Sequence, residues 1–224
     1  MFGTKTEFKD RPDAGRQLSE ALEHIKEESP VVLALPRGGV PVAFEVAKAF
    51  SAPLDLLMVR KLGAPGHPEF GIGAVVDGKD PKLILNDEAM RIVNPPRDYV
   101  EAEMERQLAE IERRREAYFA GRQPTPLVGR TVIVVDDGIA TGGTVRVALQ
   151  AVRQAKAKRL VLAVPVAPRD TLDSMKPDAD EVVCLSAPLN FRAVGLHYAN
   201  FDQTSDAEVV QLLDAAREWS PAPQ

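Results

Sequence analysis

The sequence contains the stretch VIVVDDGIATGGT at residues 132–144. Four consecutive apolar residues are typical of a strand that is buried on both faces of a parallel sheet. The acids Asp136 and Asp137 follow at the end of that strand, and a turn of small residues leads into a helix that we expect to begin at or near Gly142. The first N–H groups of a helix are unpaired, and together with the helix dipole they favour a bound phosphate. The stretch therefore predicts a strand, an anion-binding turn and a helix.

The paired carboxylates indicate a second property of the ligand. Acids beside a phosphate site would repel the anion, unless they accept hydrogen bonds from hydroxyl groups or face a magnesium ion. A sugar phosphate with a free diol satisfies both halves of the stretch. A purely structural alternative is that Asp136 and Asp137 cap the turn, while Gly142 and Gly143 let the helix pack closely on the strand. In either case we expect the two carboxyl groups at the solvent edge of the sheet.

The stretch resembles the signature of the type I phosphoribosyltransferases at essentially every position. The resemblance implies that Asp136 and Asp137 bind the ribose hydroxyls of 5-phosphoribosyl-1-pyrophosphate (PRPP). It also implies that the following turn binds the 5-phosphate through Ala140, Thr141, Gly142, Gly143 and Thr144. The implied activity is a Mg²⁺-dependent transfer of phosphoribose to or from a nitrogenous base or related acceptor, with pyrophosphate as co-product. No dedicated metal site is expected, because Mg²⁺ would be held mainly by the substrate, with water-mediated contacts to the two acids as a further option.

The rest of the chain alternates strands and helices around this stretch. Apolar runs predict buried strands at residues 31–35, 54–59, 131–135, 160–166 and 181–185. Helices are expected at residues 13–25, 40–50, 97–120, 142–155, 169–175 and 206–219, a loop at 63–68, and a hairpin from 72–76 and 83–85. This order predicts an α/β fold with a doubly wound, mainly parallel five-stranded sheet and helices on both faces.

The predicted domain organisation is one phosphoribosyltransferase-like domain over residues 1–224. We expect its core at about residues 31–186, a flexible loop and hairpin at 62–96, a small C-terminal hood at 187–204, and the last helix after the hood. In the resembling family, the hood contacts the acceptor. Phe191 and Tyr198 are therefore candidates to stack on an acceptor ring, although packing against the core is the more common fate of such aromatic residues.

Two further positions suit an anionic ligand at the same edge of the sheet. The turn of Pro36, Arg37, Gly38 and Gly39 follows the first strand, and the resemblance implies that this loop binds pyrophosphate through backbone N–H groups, often in a strained or cis conformation. Arg37 can pair with phosphate oxygens, and Lys61, which we expect at the end of the second strand, adds another cation. The alternatives are an ordinary turn with a surface arginine and a plain charged strand end.

Composition argues against several other classes of protein. The chain has 28 Lys and Arg against 33 Asp and Glu, a net charge of −5, so it lacks the basic excess that suits nucleic-acid binding. The single Cys184 cannot form an intrachain disulfide, and three histidines give no metal-binding cluster. No apolar run is long enough for a membrane span or a signal core. We therefore expect a cytoplasmic protein with small-molecule partners (PRPP, pyrophosphate and an unknown base); a homodimer stays open.

Two alternative functions remain at this stage. The same fold can serve as a non-catalytic regulatory protein that binds the sugar phosphate. Paired acids also bind magnesium in phosphotransfer receivers and phosphatases. That second reading needs another nucleophilic aspartate at a strand end, whereas Pro36 and Arg60 stand at the first two strand ends. It is therefore the weaker alternative.

Overall fold

The computed structural model describes residues 7–77, 81–119 and 124–219. Within these residues the elements follow one another in this order: α1 (Arg11–Ala21), β1 (Val31–Ala34), α2 (Gly39–Phe50), β2 (Leu54–Leu56), β3 (Val59–Ala64), β4 (His67–Val76), β5 (Lys82–Leu85), α3 (Asp87–Val93), α4 (Arg97–Phe119), β6 (Thr131–Val135), α5 (Gly143–Gln154), β7 (Arg159–Val166), α6 (Arg169–Met175), β8 (Glu181–Ser186) and α7 (Asp206–Ala215). Short 3₁₀ segments occur at Glu23–Glu28, Val194–His197 and Ala216–Glu218.

The central sheet has five parallel strands in the order β2-β1-β6-β7-β8. Successive residues of β1 point to opposite faces, as the pleat requires. Val32 and Ala34 pack in an apolar layer with α1, α2 and α7, whereas Val31 and Leu33 pack in a second layer with α5 and α6. Burial on both faces explains why the strands read as continuous apolar runs. The predicted α/β fold, with a parallel five-stranded sheet and helices on both faces, is confirmed.

The strand order reverses between β1 and β6. From β1 the chain passes through α2 to β2 on one side, and from β6 it passes through α5 to β7 on the other. Open α/β sheets bind ligands at the carboxyl ends of the strands where the order reverses in this way. Ala34 pairs with Val135, so the turn after β1 and the acids after β6 lie side by side.

A second, three-stranded antiparallel sheet corrects the prediction for residues 54–68. The predicted strand at 54–59 ends at Leu56, and Val59 begins β3 of a separate sheet with the order β3-β4-β5. The predicted loop at 63–68 is wrong, because residues on either side of Pro65 and Gly66 belong to β3 and β4. The hairpin predicted at 72–76 and 83–85 is present as β4 and β5.

A buried acid anchors this second sheet to the core sheet. Asp77 follows β4, its carboxylate accepts a hydrogen bond from the backbone N–H of Met58, and its own N–H donates to the Met58 carbonyl at 3.0 Å. Arg115 of α4 forms an ion pair with the same carboxylate. Burial raises the pKa of Asp77 to about 6, although Arg115 acts in the opposite direction. These contacts turn the chain out of the core sheet after Leu57, a change of direction that no local apolar pattern reveals.

The chain segment before α1 completes the hood. Phe8 forms a parallel bridge with Tyr198, and the N–H groups of Glu7 and Phe8 donate to the His197 carbonyl, both at 3.0 Å. Helix α1 begins at Arg11, two residues before the predicted start, because Asp10 is its N-cap and accepts from the Asp13 N–H at 2.8 Å. The helix α3 was not predicted. Among the described helices, none is both long and apolar enough to cross a membrane.

Candidate functional site

Of the two acids after β6, Asp137 makes contacts with Asp136, Arg11 and Tyr198. The N–H of Asp137 donates to Oδ1 of Asp136 at 2.9 Å. Arg11 of α1 donates from Nε to Oδ2 of Asp137 at 2.8 Å, and the hydroxyl of Tyr198 donates to the Asp137 carbonyl at 2.6 Å. Helix α1, the hood and the end of β6 therefore meet at Asp137.

Both acids are more covered than the sequence predicted. We expected them at the solvent edge, but only 14% of the Asp137 side chain is exposed, because α1 and the hood lie over it. Burial raises the pKa of Asp137, while the Arg11 guanidinium opposes the rise. Burial, and then the neighbouring Asp137 carboxylate, raises the pKa of Asp136 well above its ordinary value. The pair therefore favours a ligand that supplies hydroxyl donors or a cation.

The turn after β1 packs directly against Asp137. The peptide bond between Pro36 and Arg37 is cis. A Cβ atom added at Gly38 would lie 2.1 Å from Oδ2 of Asp137, so the turn can approach the acid this closely only with glycine. The Arg37 side chain is 34% exposed, and its Nη1 lies 3.5 Å from Oδ1 of Asp206 at the start of α7. The predicted association of residues 36–39 with the paired acids is thus present in the tertiary structure.

The turn before α5 leaves the start of that helix open. Gly142 is the N-cap residue in a left-handed conformation with φ 77°, and a Cβ there would lie 2.4 Å from Cε of Met175. Ala140, Thr141, Gly143 and Thr144 are exposed. Apart from its chain neighbours and the backbone of its own helix, no heavy atom of the described residues lies within 4 Å of a Cβ built at Gly143. The first N–H groups of α5 are therefore accessible to an anion.

A cavity of about 620 Å³ lies between this helix start and the second sheet. One wall is formed by residues 141–144, and the other includes Lys61, Gly71 and Gly73. Lys61 lies within β3, paired with Ala74, and not at the end of a core strand as predicted. Its aliphatic part crosses Gly71, with Cδ 3.1 Å from a Cβ built there. The neighbouring Arg60 instead donates to Gln107 of α4. The structure thus brings Lys61 to the turn before α5 by a route other than the predicted one.

A second cavity, of about 390 Å³, lies beneath the hood. It is lined by Arg11, Arg37, Gly38, Asp137, Val194, Phe201, Gln203 and Thr204. Arg11 and Phe201 were not identified from the sequence. Arg11 lies 126 residues from its partner Asp137, and no local pattern links them. Phe201 lies within the predicted hood, and its aromatic side chain gave the same signal there as Phe191 and Tyr198.

The two aromatic residues predicted to contact an acceptor have other surroundings. Tyr198 is only 4% exposed and packs between Phe8 and Phe201, with ring centroids 5.3 and 4.9 Å away. Its ring is therefore not accessible for stacking on a ligand, and this part of the prediction is corrected. Phe191 stacks on His197 with the rings 5.6 Å apart, and it does not line the hood cavity. The ring that does line the cavity is Phe201.

The donor atoms at this edge suit a hard divalent cation. Mg²⁺ prefers carboxylate, phosphate and water oxygens, and it is commonly held by one or two carboxylates together with substrate phosphates. Asp136 and Asp137 provide such carboxylates, and their raised pKa values indicate that a neighbouring positive charge would be favourable. Within the described residues, no group of three or more His, Cys, Asp and Glu side chains could hold a metal ion.

Comparison with known proteins agrees with this arrangement. Residues 6–200 match the sequence model of the phosphoribosyl transferase domain. Proteins from two strains of Mycobacterium tuberculosis (CDC 1551 / Oshkosh and H37Rv), whose names provisionally assign them to the phosphoribosyl transferases, are each 51% identical over 209 residues, or 93% of this chain. The chain spans about half (47%) of the length of these relatives. A crystal structure of a Thermus thermophilus protein is 44% identical, with a TM-score of 0.82, over 95% of this chain and 99% of that one.

Proposed function

The chain belongs to the phosphoribosyl transferase family, and from this premise we propose that it binds PRPP with Mg²⁺ and transfers phosphoribose to or from a nitrogenous base or related acceptor. Pyrophosphate is the co-product in the synthetic direction. One observation carries the proposal: the acids after β6, the open start of α5 and the turn after β1 converge at one edge of the sheet. Each of these three features suits a different part of PRPP.

In this proposal, different residues of the chain bind different parts of PRPP. Asp136 and Asp137 accept hydrogen bonds from the ribose diol, and the turn from Ala140 to Thr144 binds the 5-phosphate through its N–H groups and hydroxyls. Gly38 and Gly39 border the pyrophosphate, which the Gly38 N–H binds, whereas the Gly39 N–H already donates to the Leu35 carbonyl at 3.0 Å. Arg37 lines the cavity beside Asp137, and Lys61 lines the cavity beside the 5-phosphate turn. Both cations are suitably located for charge on the pyrophosphate.

The proposed reaction replaces one bond at the anomeric carbon of the sugar. The bond from this carbon to the pyrophosphate oxygen breaks, a bond to the acceptor nitrogen forms, and that nitrogen loses a proton. The reacting carbon develops oxocarbenium character, so the chain contributes mainly by fixing both reactants and by stabilising the charge that develops on the departing pyrophosphate. Bound Mg²⁺ would neutralise further negative charge on the phosphate oxygens.

The double substitution Asp136→Asn with Asp137→Asn tests the sugar-binding step. Isothermal calorimetry with PRPP and Mg²⁺ should give at least a tenfold loss of affinity, because hydrogen bonds to charged acceptors contribute about 1.5–3 kcal/mol each. Asp173→Asn is a matched control, since Asp173 is an exposed acid on α6. Unchanged PRPP affinity in the folded double variant would refute the proposal.

A second measurement separates an enzyme from the regulatory alternative. Pyrophosphate release is followed with PRPP, Mg²⁺ and a panel of nitrogenous bases. Release with one class of base supports transfer and identifies the acceptor. Tight PRPP binding without release for any base would favour a non-catalytic protein that senses the sugar phosphate.

The remaining expectations belong to the same proposal. The net charge of −5 favours small-molecule partners over nucleic acid. A cytoplasmic location, a possible homodimer, and a single domain over residues 1–224 with its core, loop, hood and last helix stay predictions.

A further inference from the structure

The hood and the start of α1 hold Asp137 at two separate points. The Tyr198 hydroxyl donates to the Asp137 carbonyl at 2.6 Å, and Nε of Arg11 donates to its carboxylate at 2.8 Å. The first contact fixes the backbone of the acid and the second fixes the direction of its side chain. Neither donor comes from the strand or turn that carries Asp137.

Arg11 is itself fixed by its surroundings. Its Nη1 donates to the Asp202 carbonyl at 2.5 Å, and the guanidinium carbon lies 3.9 Å from the centre of the Phe201 ring. Only 10% of the Arg11 side chain is exposed. A buried guanidinium with a carboxylate, a carbonyl and an aromatic face around it has little freedom to move. The arginine therefore presents Nε to Asp137 in a defined direction.

The N-terminal segment is tied to the hood in the same region. The N–H of Ala199 donates to the Phe8 carbonyl at 2.8 Å, and the N–H of Asn200 donates to the Lys9 carbonyl at 2.9 Å. The Phe8 ring packs on Tyr198. The segment before α1 and the hood thus form one unit, which provides Tyr198 and leads directly into α1, where Arg11 is the first residue.

We propose that Arg11 and Tyr198 are positioning residues, which orient the Asp137 carboxylate so that it accepts a hydrogen bond from the ribose diol. This inference rests on the proposed function. An ionised carboxylate has about four acceptor positions on its two oxygens, so one bond from Arg11 leaves capacity for a sugar hydroxyl. The Arg11 charge also offsets the repulsion between two adjacent acids. The N-terminal segment is thereby part of the sugar site.

Discrimination between sugars tests this role directly. Affinities are measured for ribose 5-phosphate, 2-deoxyribose 5-phosphate and 3-deoxyribose 5-phosphate in the presence of Mg²⁺. We expect the wild-type protein to bind ribose 5-phosphate about tenfold or more tightly than one of the two deoxy sugars, namely the one that lacks the hydroxyl facing Asp137. In Arg11→Met and Tyr198→Phe this preference should shrink to about threefold or less, while binding through the 5-phosphate persists.

Three further variants make the result specific. Arg16→Met is the matched control, because Arg16 lies on the same helix, its side chain is 54% exposed, and its ion pairs with the described residues Asp13 and Glu45 are both 3.7 Å long. This variant should keep the full preference. Arg11→Lys keeps the charge and should recover part of the preference. If Arg11→Met does not fold, Tyr198→Phe decides, because it removes one hydroxyl and changes no charge. Phe201→Leu should reduce the preference less than Arg11→Met does, because the ion pair remains.

The outcomes separate the inference from the proposed function. Equal loss of affinity for all three sugars in Arg11→Met and Tyr198→Phe, with the preference kept, would overturn the positioning role and leave the proposed function intact. A wild-type protein without any preference for the diol would instead refute the proposed sugar site, and the inference with it.

Discussion

Substituting Gly38 by alanine should displace the Asp137 carboxylate, because the new Cβ atom would collide with it. Gly38 has φ −59° and ψ −36°, a backbone conformation that alanine adopts readily. The added Cβ would lie 2.1 Å from Oδ2 and 2.7 Å from Cγ of Asp137, and the three heavy atoms nearest to it all belong to that carboxyl group. Reaching an ordinary contact of 3.4 Å requires a shift of about 1.3 Å. That shift would break the 2.8 Å bond to Arg11.

The expected loss of stability follows from breaking the hydrogen bond between Arg11 and Asp137. A hydrogen bond to a charged group contributes about 1.5–3 kcal/mol, whereas replacing glycine at a compatible position stabilises by about 0.4–1 kcal/mol through the unfolded state. We therefore expect Gly38→Ala to lower the free energy of unfolding by about 1–2 kcal/mol, measured by urea denaturation. Under the proposed function PRPP affinity should fall as well, because the displaced carboxylate would no longer meet the ribose diol.

Introducing Gly38→Ala into the Asp137→Ala variant tests whether the contact with Asp137 causes the loss of stability. In Asp137→Ala the carboxyl group is absent, so Gly38→Ala should be neutral or should stabilise by up to about 1 kcal/mol. A destabilisation of the same size in both backgrounds would show that the new methyl group collides with something other than Asp137, and the reasoning about the turn would be wrong.

Three more predictions use the same measurements. Gly142→Ala should lower the free energy of unfolding by about 1–3 kcal/mol, because the left-handed conformation and the 2.4 Å approach to Met175 both oppose a Cβ; an unchanged value would contradict this. The raised pKa of Asp77, about 6, means that the folded state binds more protons than the unfolded state from pH about 4 to 6. The free energy of unfolding should therefore fall by up to about 3 kcal/mol as pH rises through this window, and urea titrations of Asp77→Asn should show a smaller fall. Lys61→Met should weaken PRPP about tenfold but ribose 5-phosphate much less; equal losses in calorimetry would place Lys61 at the 5-phosphate instead.

The site could be predicted from the sequence where its parts are local. The acids, the glycines and the helix start lie within residues 132–144, and the turn after β1 is also a continuous segment. Parallel strands bring their carboxyl ends to one edge, so two such turns were expected to meet. The depth of the acids was not predictable in this way, because α1 and the hood cover them from distant parts of the chain.

The surroundings of Lys61 and Tyr198 could not be predicted from local sequence patterns. Residues 54–59 read as one apolar run, yet the chain turns after Leu57 and Lys61 joins a second sheet. The turn is held by contacts of Asp77 and Arg115 with residues far away in sequence. From the sequence, Tyr198 could either stack on an acceptor or pack against the core. The packing of Phe8 and Phe201 around its ring shows that it packs inside the protein.

The α/β alternation and the strand, turn and helix at residues 131–154 follow from the sequence, because burial and turn geometry leave periodic and compositional patterns within a few residues. The docking of separate elements decided which cation lies beside each part of the candidate site: Arg11 at the Asp137 carboxylate and Lys61 across the cavity from the turn before α5. The physical reason is that such pairs form only when separate elements dock, and docking is governed by the complementary shape and charge of surfaces that are not adjacent along the chain.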